Sequence, residues 1–208
     1  IQTAGPNLGQ GIEEKRTWND RGQILAEVEP EGHVVAREYF PSNGTPEDAS
    51  DREVYLNSVT RDPGGLNLKT QYEYDPAGNV TAEIDQKLQR TDYAVNALNQ
   101  AVRVLGRLVA KADGTGTFRF QTDLFYDAND ELLRREPCNF DENGVLRANA
   151  VIETRFEYDI LHHPVAEERE KTRDDATDPG FVRTEFFYDT QMNRVAVKSP
   201  EAVSGAQP

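Results

Sequence analysis

Residues 72–79 read YEYDPAGN and continue into VTAEI at 80–84. Tyr72 and Tyr74 are two apart, so on a strand they share a face. Asp75 can accept hydrogen bonds from its own backbone, Pro76 presets φ for a turn, and Gly78 and Asn79 tolerate positive φ. Alternation then resumes at Val80, Ala82 and Ile84, again on one face. The stretch therefore predicts strand, tight turn, strand. A hairpin of this kind is marginal alone in water and needs neighbours.

Working outward, the same aromatic–Asp pair returns. LFYDANDE (124–131), FEYDILHH (156–163) and FFYDTQMN (186–193) align with YEYDPAGN, with Tyr126–Asp127, Phe156/Tyr158–Asp159 and Phe186/Tyr188–Asp189 in equivalent places. Two degenerate copies fit around Asp20 (TWNDRGQI, 17–24) and around Tyr93 and Asn96 (YAVNALNQ, 93–100). Asp75, Asn96, Asp127, Asp159 and Asp189 follow one another at intervals of 21, 31, 32 and 30 residues. The longer steps accommodate hairpins with longer arms. Repetition at this period predicts a stacked repeat architecture that buries the aromatic row. Further turn signals lie at Asp113–Gly116, at Asp141–Gly144, which ends in Asn-Gly, and at 173–180 and 41–51, two longer loops. The fold class expected is all-β, with consecutive antiparallel hairpins forming a curved, repetitive sheet strip.

One stretch admits two readings. Val95, Leu98, Val102, Leu105 and Val109 fall at helical spacing, whereas Val102, Val104, Leu108 and Ala110 fit a strand face. A repeat copy starting at Tyr93 and the β-patterned Phe118–Phe120 favour strand.

Composition bounds the function. The chain has 208 residues with 23 basic and 37 acidic side chains, a net charge of -14. No basic stripe of the kind that binds nucleic acid is visible, and anionic membrane surfaces are disfavoured on the same ground. No apolar run approaches the roughly 18–20 residues of a membrane-spanning helix. Mean hydropathy is -0.74, polar for a globular domain. Even so, 8 Tyr, 9 Phe and a Trp exceed what a disordered acidic segment carries, and suit a sheet with one wet face. The single Cys138 excludes an internal disulfide and Cys-based zinc sites. Opening at Ile1 and closing on a small polar tail, the chain reads as a piece of a longer protein: lead-in 1–16, repeats 17–200, flexible tail 201–208.

On these copies the sequence resembles the Rhs/YD-repeat family: bacterial Rhs proteins, shell components of Tc insecticidal toxins, and teneurins. The pattern is aromatic-x-Tyr-Asp, a short turn, Gly-Asn, then an apolar strand. The copy at 72–79 fits it nearly throughout. Asn193 is kept at 186–193 with Met192 in the Gly place, Gly-Asn is lost at 124–131 and 156–163, and Trp18 sits one place out of register. The resemblance implies a β-strip coiling into a shell around a C-terminal toxin or cargo domain, in an exported or cell-surface bacterial protein. The expected partners are then the rest of the parent chain, neighbouring repeats and enclosed cargo, and no cofactor is implied. Asp62-Pro63-Gly64-Gly65-Leu66 is similar on paper to the self-cleavage motif of Rhs cores, but Asp-Pro-Gly-Gly is also an ordinary turn.

Candidate chemistry is sparse. Four equivalent Tyr-Asp pairs point to a structural duty, the Tyr packing and the Asp closing a turn, rather than to paired acid and base. His162 and His163, adjacent on a strand, would face opposite sides and not share a metal, and His33 stands alone. The acidic turns at 127–131 and 141–144 lack a calcium-loop ligand ladder. Cys138, beside Pro137, is placed at a hairpin end without a nucleophile motif. The chain is expected not to be an enzyme. A partly open aromatic row, with the loops at 41–51 and 173–180, leaves one alternative: an extracellular module for glycans or a cell-surface receptor.

Overall fold

The computed structural model describes residues 14–40, 54–171 and 180–199. Among them are fifteen strands and no helix: β1 (Lys15–Trp18), β2 (Ile24–Val28), β3 (Val34–Tyr39), β4 (Leu56–Arg61), β5 (Leu68–Tyr74), β6 (Val80–Ile84), β7 (Arg90–Val95), β8 (Ala101–Ala110), β9 (Thr117–Tyr126), β10 (Leu132–Phe140), β11 (Leu146–Val151), β12 (Thr154–Tyr158), β13 (Pro164–Glu170), β14 (Phe181–Tyr188) and β15 (Arg194–Lys198). The all-β expectation holds, and 101–110 is strand. The loops predicted at 41–51 and 173–180 fall, except for Gly180, outside the described residues.

The chain forms two compact units, Ile1–Arg90 and Thr91–Pro208. In the first, β1 to β6 pair antiparallel in sequence order. In the second, the order is β7-β8-β9-β10-β12-β13-β14-β15, again antiparallel, with β11 joined only to β10. Strand β10 serves two neighbours on that side: Arg134 and Arg135 face Arg155 and Thr154 of β12, while Cys138 and Phe140 face Val151 and Leu146 of β11. Cys138 is thus inside a strand rather than at a hairpin end, and burial raises its thiol pKa.

The expected burial of the aromatic row does not occur. Among the described residues the only buried hydrophobic side chains are Ala82 and Ala166, and no Phe or Tyr is fully covered. Among the described residues no second layer packs on the strands to bury large side chains, so what is buried is small and lies beneath long ones. Ala82, 0% exposed, faces Glu73 across the strand pair, and Arg90 reaches Glu73 over it at 2.6 and 2.8 Å. Ala166, 1% exposed, lies between Glu157 and Glu185, and Arg183 on β14 reaches Glu157 on β12 at 2.6 and 2.7 Å. Ser58, also 0% exposed, sits under Glu38, which takes its hydroxyl at 2.7 Å and Lys69 Nζ at 2.8 Å. In each case a methyl or hydroxymethyl group on a central strand leaves room for an ion pair to arch between the two flanking strands. Such half-exposed pairs contribute about 0.2–1 kcal/mol each.

Candidate functional site

The recurring chemistry of the repeats resolves into one turn used many times. At Asp75 the backbone N–H donates to Asn79 O (3.0 Å), and Gly78 N–H donates back to Asp75 O (3.1 Å). Asp75 Oδ1 accepts from the N–H groups of Ala77 and Asn79, both at 2.9 Å, and Asn79 Nδ2 donates to Oδ2 at 3.0 Å. This is a type I turn followed by a left-handed residue, with its first residue as hub. The hub recurs at Asp85, Asn96, Asp127, Asp141, Asp159 and Asp189, each accepting two backbone N–H groups two and four residues on.

The first copy corrects the sequence alignment. Its hub is Asn19, not Asp20: Asn19 Oδ1 accepts from Arg21 and Gln23 N–H at 3.0 and 2.9 Å. Trp18 is therefore in register after all, directly before the hub. Asp85 and Asp141 are hubs as well, preceded by Ile84 and Phe140 in place of Tyr. Glu29 keeps the backbone pair, with His33 O and Gly32 N as partners. His162 and His163 belong to the Asp159 turn and not to a strand. His162 is its left-handed residue (φ 66°) and reaches Glu131 at 2.9 Å, while His163 lies 3.3 Å from Asp159.

Electrostatics matches the duty. Asp75 and Asp189 are held below the ordinary carboxylate pKa first by the side-chain amides of Asn79 and Asn193. Asp127, Asp141 and Asp159 are held low first by the backbone N–H groups of Glu131, Val145 and His163. These carboxylates are ionised and occupied as acceptors, the reverse of a poised general acid.

The tyrosines are occupied too. Tyr74 Oη donates to Leu56 O at 2.9 Å, Tyr126 to Ala101 O at 3.1 Å, Tyr158 to Leu132 O at 3.1 Å and Tyr188 to Pro164 O at 2.8 Å. Tyr39, missed in the sequence because Phe40 replaces the hub Asp, donates to Ile24 O at 3.2 Å. All five obey one rule: the last residue of a strand bonds the first residue of the paired strand that precedes it. Desolvation raises the pKa of Tyr74 and Tyr158, which keeps the hydroxyl proton in place. Tyr and Asp of one copy thus point their polar atoms at different backbone targets and do not converge. Of the other aromatic positions, Phe186 lies under Arg194, 5.5 Å from its guanidinium, and Tyr72 faces Glu83.

Two further arrangements have the composition of a site. Glu29, Glu31 and His33 alternate through a turn and bring ligand atoms within 4.8 Å of one another, all exposed. A cavity of about 320 Å³ at the Asn19 turn is lined by Asn19, Asp20, Arg21, Gln23, Leu25, Tyr39 and Phe40. The motif at Asp62–Leu66 forms the loop between β4 and β5, where Asp62 Oδ2 accepts Leu66 N–H at 2.7 Å and Asp62 O accepts Gly65 and Asn67 N–H.

No family model matches the sequence, and no curated protein is similar to it. Among solved structures, TcdB2-TccC3 without its hypervariable C-terminal region is similar over 86% of this chain and 11% of that chain, at 15% identity and a TM-score of 0.42. TcdB2-TccC3 itself is similar over 87% and 13%, at 12% identity and a TM-score of 0.32. A porin-like protein from Bacteroides uniformis ATCC 8492 is similar over 86% and 54%, at 10% identity and a TM-score of 0.38. The chain spans little more than a tenth of the two TcdB2-TccC3 chains.

Proposed function

We propose that this chain is a structural wall segment, a run of Rhs/YD-type repeats whose sheet helps to enclose a C-terminal toxin or cargo domain of a longer bacterial exported protein. The observation that carries the reading is the use of the Tyr and Asp of all four Tyr-Asp pairs in the same backbone bonds, copy after copy. Residues tied up in this way hold strands in register and are not offered to a substrate. Limited proteolysis with intact-mass detection, run on the longer protein that carries this chain, tests the reading. A large C-terminal piece that stays protected until the repeats are denatured is the expected result. Immediate cleavage of that piece would refute enclosure.

One observation favours a second reading, a glycan-binding module. The cavity at the Asn19 turn sets two aromatic rings, Tyr39 and Phe40, beside an amide pair and the Asp20 carboxylate, groups suited to stack on a sugar ring and bond its hydroxyls. A glycan array probed with the chain and with Phe40→Ala separates the readings. Signal lost in the variant supports binding, and a blank array for both removes it.

A further inference from the structure

The tyrosine bonds carry a register as well as a contact. In each of the five pairs, the residue two beyond the acceptor lies opposite the residue three before the tyrosine: Ala26↔Ala36, Ser58↔Gln71, Arg103↔Asp123, Arg134↔Arg155 and Ala166↔Glu185. Strand β15 begins at Arg194, which is equivalent to Ile24, Leu56, Ala101, Leu132 and Pro164. Among the described residues, β15 pairs only with β14. Its sequence, RVAVK, holds two cations and no acid in a chain of net charge -14, and Val195 and Val197 are 62% and 53% exposed. An edge strand presents a row of backbone N–H and C=O groups and is a template for strand addition.

We infer that the outer edge of β15 is an interaction surface for an antiparallel strand that ends in tyrosine and carries a carboxylate five residues earlier. The tyrosine hydroxyl is seated on Arg194 O. Counting back by the shared register, a small residue faces Ala196, apolar residues face Val195 and Val197, and the carboxylate faces Lys198. That cation already lies 3.3 Å from Glu185, so the incoming carboxylate completes an acid–cation–acid row like Glu157–Arg183–Glu185. A second copy does not supply this strand through its β1 (KRTW), which ends in Trp18 and has no hydroxyl to seat on Arg194 O. The inference rests on the repeat unit of the wall reading but not on any enclosed cargo.

The test adds a labelled octapeptide of alternating valine and threonine, with glutamate five residues before a tyrosine, to the 208-residue chain. Affinity is followed by fluorescence anisotropy and location by amide hydrogen exchange. The expected result is saturable binding that slows exchange in β15. Phenylalanine in place of the tyrosine weakens it about threefold to tenfold, the range one hydrogen bond accounts for. Lys198→Glu weakens the glutamate peptide and favours one carrying lysine there, and a thermal melt confirms that the variant is folded. Equal affinity of the phenylalanine peptide, protection in β1 instead of β15, or no binding would each overturn the inference. Binding to β15 alongside an unprotected C-terminal piece in the proteolysis experiment would sink the cargo reading alone.

Discussion

At the scale of single residues, the molecule is decided at the fourth position of its turns. That position has positive φ in every copy, whether it holds Gly22, Gly32, Gly78 and Gly144 or Leu88, Asn99, Asp130, His162 and Met192. A left-handed backbone costs an ordinary L residue about 1–2 kcal/mol, less for Asn and Asp. Met192→Gly and Leu88→Gly are therefore expected to stabilise the chain by about 1 kcal/mol each, read as a rise in the urea midpoint at constant slope. The reverse change is worse than neutral. At Gly78, with φ +90°, an added Cβ would stand 2.5 Å from Tyr55 Oη, and Tyr55 is stacked on Tyr74 at 4.9 Å. Gly78→Ala is expected to cost about 2 kcal/mol or more in the same titration, from strain and clash together.

At the scale of the element, the hub turn contributes to the acid limit of stability, alongside ion-paired acids such as Glu27 and Glu157. The carboxylates of Asp75, Asp127, Asp141, Asp159 and Asp189 have depressed pKa values when folded. Such groups contribute stability that is present above their unfolded pKa, about 3.9, and lost as pH falls through the lower folded value. Stability is expected to be flat with respect to these groups above pH ~5 and to decline below pH ~4. The chain supplies its own control, since Asn19 with Gln23 and Asn96 with Gln100 form the same turn without a carboxylate. The double change Asp189→Asn and Asn193→Gln should therefore fold and soften the acid limb of a pH-dependent melt, whereas an unchanged limb would show that the hub does not titrate with folding. The ion arches give a second element-scale prediction. Ala166→Leu puts a branched side chain beneath Arg183 and Glu157 and is expected to cost about 1–3 kcal/mol by denaturant melt.

Much of this scale was legible in the sequence, because a turn hub is a local affair. Asp75, Gly78 and Asn79 name their own geometry, and alternation from Val80 onward names the strand. Asp85 and Asn19 are less legible, since Ile84 and Trp18 stand before them in place of the Tyr that marks the other copies. The covered alanines were out of reach. Ala82 and Ala166 look like any small strand residue until cross-strand register sets an Arg and a Glu on either side of them. The same holds for β11, whose departure from the hairpin order depends on how β10 divides its length between two neighbours.

At the scale of the whole molecule, the described strands are held by many small bonds, with only Ala82 and Ala166 as buried hydrophobic side chains among the described residues. Within each unit, turn hubs fix the hairpins, tyrosine hydroxyls tie strand ends (five in all among the described residues) to the paired strand before them, and ion pairs arch over the small residues between. Such a construction predicts losses that are small and evenly spread. The most direct test is a series of single hydroxyl deletions, Tyr39→Phe, Tyr74→Phe, Tyr126→Phe, Tyr158→Phe and Tyr188→Phe, each measured by equilibrium denaturation. Five similar losses of about 0.5–1.5 kcal/mol are predicted, additive between copies that do not touch. A single variant carrying nearly all the loss, with the others neutral, would contradict the account and mark that one tyrosine as serving something other than the sheet.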